Sequence, residues 1–305
     1  MKKIILLILT FFLCFSCLKK PKSVHKGTIK IGIIQFVAHP ALDRAKEGFE
    51  EQFKNDKYKV TFIEKNANAE LTTAKIIASN FVREKVDLIY AIATPSAQAC
   101  LSETTSIPII FSAVTDPNDA GLIAKNITGV TDYVDILEQL KLLKQINKNI
   151  KSIGVLYNSS EANSKATINQ LQIACKNLNI NLVTKSVTQI SEVPQAIKLL
   201  ISQTDAIYTP TDNLIASVMP IITAEAIKQK KIVFGSEKAH VEGGALITKG
   251  INYYDLGKQA ANMAIDILYN KKNISDLHII NMPLNDIEIN KETQKKLGIS
   301  LPNLK

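Results

Sequence analysis

Lys30-Ile31-Gly32-Ile33-Ile34-Gln35-Phe36 and Ser152-Ile153-Gly154-Val155-Leu156-Tyr157-Asn158 are two versions of one strand, with their glycines 122 residues apart. The echo continues outward. Asp87-Leu88-Ile89-Tyr90 leads to Thr94-Pro95-Ser96, as Asp205-Ala206-Ile207-Tyr208 leads to Thr209-Pro210-Thr211-Asp212-Asn213, at an offset of 118. Ile109-Ile110-Phe111-Ser112 returns as Ile232-Val233-Phe234-Gly235-Ser236, at 123. Offsets this constant predict two similar α/β lobes whose loops face each other across a cleft. A small molecule is the natural occupant of such a cleft.

Between the repeated runs the apolar spacing changes from strand-like to helical. Strands are expected at residues 29–36, 58–65, 86–91 and 107–111, with helices at 40–55, 71–84, 96–103 and 135–145. The second half repeats the order, with strands at 152–157, 181–186, 206–208 and 231–234 and helices at 161–178, 193–202 and 214–229. Strands alternating with helices predict parallel sheets covered on both faces, hence two Rossmann-like lobes of the α/β class. After Gly243-Gly244, residues 245–251 read as a strand and 254–269 as a helix, both assigned to the first lobe. Residues 281–290 read as extended and 291–297 as a short helix on the second lobe. The chain then crosses between lobes three times, near Asp132, Gly244 and Met282, in a three-strand hinge. Lobe one is expected at 29–132 plus 245–281, and lobe two at 133–244 plus 282–305.

The N-terminus has a basic start, Met1-Lys2-Lys3, and an apolar run over 4–13 that is too short to span a bilayer as a helix. Leu13-Cys14-Phe15-Ser16-Cys17 follows, a loose lipobox. The expectation is a lipoprotein signal over 1–16, lipid on Cys17 and a lysine-rich tether over 17–28. An ordinary signal peptide with an incidental cysteine is the alternative. Losing Lys2 and Lys3 lowers the formal charge from +9 to +7. The lysines are scattered, with no arginine-rich block, so nucleic acid is not expected as a partner. Cys100 and Cys175 fall in different halves on apolar helical stripes and read as buried free thiols. The four histidines pair with no cysteine cluster, so no metal site is expected.

In open parallel sheets, ligands bind beyond the carboxyl ends of the strands. That rule selects the polar loops at 35–40, 93–98, 112–117, 158–163, 209–213 and 235–240. Gln35 and Phe36 open the first, and Ser236 and Glu237 lie in the last. Thr94 and Ser96 stand at a helix start preceded by a strand, either as caps or as donors to a ligand carboxylate. The Ala113 backbone and the Thr115 hydroxyl are placed to complete that carboxylate site. Asp116 before Pro117 is either a ligand contact or a turn. Asp212 and Glu237 sit at strand ends where a buried carboxylate needs a cation, which a ligand ammonium would supply. Asn213 and Asn158 are polar wall residues or helix caps. No Gly-x-Ser-x-Gly elbow, phosphate loop or dinucleotide fingerprint is present. The Asp212 and Glu237 pair suits a glycosidase in number, but the chain has no tryptophan to line a sugar cleft. No catalytic set and no cofactor are expected.

Seven collinear runs make the pattern specific. They are residues 33–43, 93–98, 111–117, 157–164, 210–213, 234–237 and 250–257. With Ala93-Thr94-Pro95-Ser96-Ala97-Gln98, Phe111-Ser112-Ala113-Val114-Thr115-Asp116-Pro117 and Phe234-Gly235-Ser236-Glu237 among them, the chain resembles the ABC-transporter substrate-binding lipoproteins of the tryptophan/tyrosine type from about Lys30 to Leu301. The resemblance implies a type I periplasmic-binding-protein fold. It also implies an extracytoplasmic, lipid-anchored monomer that hands an amino acid, an aromatic one first, to an ABC permease and its ATPase. By the same resemblance Ser96, Ala113 and Thr115 hold the ligand carboxylate and Glu237 with Asp212 the ammonium. Asn158 and Asn213 line the second wall, while Phe36 and Tyr253 form an aromatic pocket. Lys249 before Gly250 and Lys238-Ala239-His240 after Glu237 depart from the pattern and bear on the ligand's identity. A nucleoside or other neutral ligand, and a sensory role without transport, are the competing readings.

Overall fold

The computed structural model describes residues 28–54, 58–284, 287–302 and 304. The expected signal segment, Cys17 and the tether up to residue 27 lie outside the described residues. Each half of the chain begins with the repeated glycine strand, β1 (Ile29–Gln35) and β6 (Ser152–Asn158). Gly32 and Gly154 have the same task. A Cβ at Gly32 would stand 2.8 Å from the Phe81 ring, and one at Gly154 would stand 2.9 Å from Thr204 Oγ1 and 3.3 Å from Leu200 Cβ, both of the helix Val193–Gln203 and its C-cap. Each glycine lets a helix lie directly on its strand.

The first lobe runs β1, α1 (Pro40–Glu51), β2 (Val60–Asn66), α2 (Leu71–Arg83), β3 (Leu88–Ile92), α3 (Thr94–Glu103), β4 (Ile109–Val114) and β5 (Ile127–Thr131). The second runs α4 (Ile136–Ile146), β6, α5 (Ala162–Leu178), β7 (Asn181–Val187), α6 (Val193–Gln203), β8 (Ala206–Thr209), α7 (Asn213–Ser217), α8 (Met219–Lys228), β9 (Ile232–Gly235), α9 (Lys238–Glu242) and β10 (Ile247–Thr248). The chain then returns to lobe one for α10 (Tyr253–Leu268) and β11 (Ile280–Asn281), and ends on lobe two with β12 (Glu288–Ile289) and α11 (Lys291–Leu297).

The sheets are ordered β11-β5-β4-β3-β1-β2 and β12-β10-β9-β8-β6-β7. The first is parallel throughout, and the second is parallel except for β12 against β10. The central strands β3 and β4 are buried at every residue, as strands covered on both faces must be. The outer strands β2 and β7 carry Lys, Glu and Thr on their exposed positions, which discourages pairing with another chain. α10 clamps lobe one by close backbone approach to α1. A Cβ at Gly257 would lie 1.9 Å from Ala45 O, and one at Gly48 would lie 2.0 Å from Tyr254 O.

Besides the short helix α9 within the expected 235–240 loop, three differences from the sequence reading bear on the lobes. The strand after Gly244 pairs with β9, so it completes the second sheet and is not part of lobe one. The second crossing therefore falls between Thr248 and Tyr253, not at Gly244. Gly243-Gly244 instead makes the tight turn from α9 to β10, where Gly244 has φ 101° and Thr223 Oγ1 donates to Gly243 O at 2.8 Å. The helix expected over 214–229 is broken at Val218, ahead of Pro220. Finally, β5 was not anticipated; it is short and carries Gly129, where a Cβ would meet Phe111 O at 2.2 Å. Among the described residues no helix is long and apolar enough to cross a membrane, and no His/Cys/Asp/Glu group is arranged to hold a metal ion.

Candidate ligand site between the lobes

The carboxyl ends of both sheets meet at the hinge-linked faces of the lobes. On lobe one, the strand ends are held in costly backbone conformations. Ala93, after β3, has φ 80° and ψ 153°, a region otherwise kept for glycine, and Ala113 has φ 55°. Such residues cost about 1–3 kcal/mol each and collect at ligand sites. Ala93 sets the start of α3, whose first turn contains Pro95. Thr94 and Ser96 are buried there, and neither hydroxyl has a hydrogen-bond partner among the described residues. Buried hydroxyls at a helix N-terminus suit an anion, which the helix dipole also favours.

The lobes close on a narrow polar gap of about 10 Å³, room for about one water. Lobe one supplies His39, Leu42, Ala113, Thr115 and Asp132; lobe two supplies Asn163, Thr211, Asp212, Asn213, Ala216 and Glu237; Tyr253 enters from the second crossing. Two hydrogen bonds span the gap. His39 Nε2 is 3.3 Å from Asn213 Oδ1, and the Thr115 and Thr211 hydroxyls are 3.1 Å apart.

The wall of lobe two is a self-contained network around two buried acids. Asp212 Oδ2 accepts from Asn158 N (2.6 Å) and Ser164 Oγ (2.6 Å), while its Oδ1 accepts from Ile215 N (3.0 Å) and caps α7. The Glu161 carboxylate accepts from the side-chain amides of Asn158, Asn163 and Asn213. Burial, and then the two acids' mutual repulsion, raise Glu161; burial likewise raises Asp212 against its hydrogen bonds.

A second acidic group lies at the hinge. Tyr253 OH donates to Asp132 Oδ2 at 2.7 Å, so it ties the first crossing to the second. Asp132 Oδ1 is buried without a partner among the described residues. Burial, reinforced by Glu237, pushes the Asp132 carboxyl up to about 6 despite the bond from Tyr253. Glu237 behaves oppositely. Burial alone would raise it, but nearby His240, and then His39, outweigh burial and hold it below its usual value. His240 Nε2 stands 3.1 Å from Glu237 Oε1, close enough for charge attraction although off hydrogen-bond alignment. For His39, burial dominates and lowers its pKa, against the opposing pull of Glu237.

Of the residues singled out from sequence, Ala113, Thr115, Asp212, Asn213, Glu237 and Tyr253 line this cavity. Thr94, Ser96 and Ser236 are not among its lining residues; they are buried with unpartnered hydroxyls. Gln35 turns its amide to Val37 O and Asp43 Oδ1 within lobe one, and Phe36 packs in the hydrophobic core. Asp116 Oδ1 accepts from Asn118 N and Asp119 N, which is the turn arrangement. Asn158 is spent on Glu161 and Ser160 N. Asp132, His39, Asn163 and Thr211 were not among the expected site residues. His39, Asn163 and Thr211 lie in loops that the strand-end rule selects, whereas Asp132 follows the unanticipated β5; only packing shows which of their polar atoms remain free.

Two α/β lobes, three crossings and a closed polar cavity define a solute-binding protein. The chain belongs to the ABC transporter substrate binding protein family, whose model matches residues 30–304. That family binds and does not transform its ligand, and it works outside the cytoplasm. The chain is 41% identical over 297 residues to a tyrosine-binding protein of Clostridioides difficile, covering 93% of this chain and 86% of that one. It is also similar to a solved ABC domain from Streptococcus pneumonia in complex with L-Trp, at 33% identity and TM-score 0.84, covering 91% of this chain and 97% of that one. A ligand-free, open structure of a Clostridium difficile substrate binding protein with adhesive properties is 40% identical, yet superposes less well, at TM-score 0.68 with 90% and 96% covered. Higher identity with poorer superposition is what a different lobe angle produces. The bonds from His39 to Asn213 and from Thr115 to Thr211 show the present lobes closed.

Proposed function

We propose that this chain captures an aromatic amino acid outside the cytoplasm for an ABC importer, held at the membrane by lipid on Cys17 and acting as a monomer toward the permease and its ATPase. Lobe one then comprises 29–132 with 249–281, and lobe two 133–248 with 282–305. The observation that carries the reading is the separation of unsatisfied groups at the strand ends of the two lobes. Free hydroxyls at the α3 start (Thr94, Ser96), with Thr115 and the Ala113 backbone, match a carboxylate. The free Asp132 oxygen beside Tyr253 and Glu237 matches an ammonium. Both Asp212 oxygens already accept from lobe two, which favours a wall and cap role. The tyrosine-binding relative and the L-Trp complex support an aromatic side chain. A ligand with differential affinity for the closed form shifts the population toward it.

Thermal-shift screening and calorimetry of the detergent-solubilised full chain test this. The expected outcome is stabilisation by one or more aromatic L-amino acids and none by nucleosides. With ligand at a hundred times Kd the gain is about 2.7 kcal/mol. Stabilisation by a nucleoside alone would assign the cavity to a neutral guest.

A further inference from the structure

Lysines that are scattered in sequence come together on the outer face of lobe two. The carboxyl ends of the two sheets face each other across the cleft, so their amino ends form opposite poles of the molecule. On lobe two, Lys148 and Lys151 precede β6, Lys176 precedes β7, Lys230 and Lys231 precede β9, and Lys295 lies in the last turn of α11. Bonds between these segments set them side by side. Lys230 Nζ donates to Lys296 O (2.6 Å) and Lys231 Nζ to Thr204 O (2.7 Å). Lys151 N donates to Asp205 Oδ2 (2.8 Å), and Asn181 N to Lys151 O (2.7 Å). β9, β8, β6 and β7 are consecutive in the sheet, so the row runs over three strand spacings, roughly 14 Å.

Little negative charge opposes the row. Asp205 is the acid in these loops, and it is committed to the turn: its Oδ2 accepts from Lys151 N, Ser152 N and Ser152 Oγ. Glu225 and Glu292 stand about one turn back and pair with Lys228 and Lys296. The ammonium groups of Lys148, Lys151, Lys176 and Lys295 are on exposed residues and have no partner among the described residues. Lobe one is built from the same repeat and differs. Arg83-Glu84-Lys85 and Asp87 precede β3 with alternating sign, and Glu103 ends α3 ahead of β4. Helix C-termini favour a lysine in both lobes alike, so they do not account for the difference.

We propose that this lysine pole of lobe two is a docking surface for a linear phosphate-bearing polymer of the cell envelope. A lysine ammonium meets phosphate as a compact point charge on a flexible stem, so a row of them fits a chain of phosphates without fixing its register. Affinity then comes from released counterions. The loops of the row contain no arginine and no aromatic residue to read or stack bases, which sets nucleic acid apart as the less suited partner. A membrane is also less suited. The chain enters lobe one at Thr28, at the opposite pole, so the lipid on Cys17 proposed above turns the lysine pole away from the bilayer. Only this orientation rests on the anchor; the binding surface is independent of the amino-acid reading.

Fluorescence anisotropy of end-labelled inorganic polyphosphate, titrated with the full chain in non-ionic detergent, tests this. Between about 50 and 300 mM salt, log K is expected to fall linearly with log salt at a slope of about −3, each neutralised charge contributing about 0.7. The triple variant Lys148→Gln, Lys176→Gln, Lys230→Gln should flatten that slope by about 2 and weaken binding about tenfold or more at the lowest salt. Removing three charges from the other pole, by Lys30→Gln, Lys59→Gln and Lys85→Gln, should change Kd by less than about twofold. Equal losses in the two triple variants overturn the proposal, because net charge and not the pole then governs binding. It is also overturned if the parent chain does not bind polyphosphate. Tighter binding to heparin, duplex DNA or phosphatidylglycerol vesicles at matched charge overturns the choice of a phosphate polymer. If the first triple variant does not fold, Lys148→Glu with Lys295→Glu replaces it under the same expectation.

Discussion

The two walls of the cleft are built from one repeat but differ in how complete they are. Lobe two satisfies its buried acids, though the Asn163 carbonyl and the Ser236 hydroxyl stay unpartnered among the described residues: Glu161 collects three asparagine amides, and Asp212 collects two backbone amides and the Ser164 hydroxyl. The wall of lobe one is unfinished. Its strand ends are strained at Ala93 and Ala113, and the hydroxyls of Thr94 and Ser96 have no partners. Duplicated architecture therefore carries two kinds of work. One wall spends its acids on its own amides, and the other leaves strand-end hydroxyls unpartnered, which suits the charged guest proposed above.

Substitutions at matching depth should separate the two. Glu161→Ala removes the common acceptor of three buried amides, so the folded state should lose about 3 kcal/mol. Denaturant titration should show a lower midpoint at unchanged slope. A variant as stable as the parent would mean that lobe two does not depend on its network. Ser96→Ala should behave in the reverse way. It removes a hydroxyl with no partner, so stability should change by less than about 0.5 kcal/mol, while affinity for the amino acid falls about tenfold through the lost charge-assisted bond. Loss of stability with unchanged affinity would make Ser96 a structural residue.

The same contrast explains what was legible before any coordinates. The glycine strands at Gly32 and Gly154 and the apolar runs after Asp87 and Asp205 announce the duplicated sheets, because buried parallel strands leave continuous apolar text. β5 escaped notice because Gly129 interrupts a five-residue strand for the sake of one close contact. The strand ending in Thr248 was assigned to the wrong sheet because Gly243-Gly244 reads equally as a crossing or as a turn; only pairing with β9 decides. At the cleft, strand ends locate the loops but not the allocation of lone pairs. Asp212 and Asp132 look alike in sequence. One is saturated by its own lobe, and the other is left with a free oxygen because Tyr253 arrives from a different crossing.

Asp132 is where the account is most exposed. Its carboxyl is raised from 3.8 to about 6 in the unliganded protein, so the fold favours its protonated form. The sign follows: as pH rises from about 4 through about 6, ionising Asp132 costs stability, and above that range Asp132→Asn should raise the melting temperature of the unliganded protein. A bound ammonium reverses the preference, so binding below about pH 6 must release a proton. Calorimetric Kd values for the best aromatic amino acid between pH 8 and pH 5 test this directly. The expected result is a constant Kd down to about pH 6.5, then weakening that approaches tenfold per unit below about 6, with Asp132→Asn weak and flat throughout. A pH-independent Kd in the parent chain, or tight binding by Asp132→Asn, would contradict the claim that Asp132 receives the ligand's positive end.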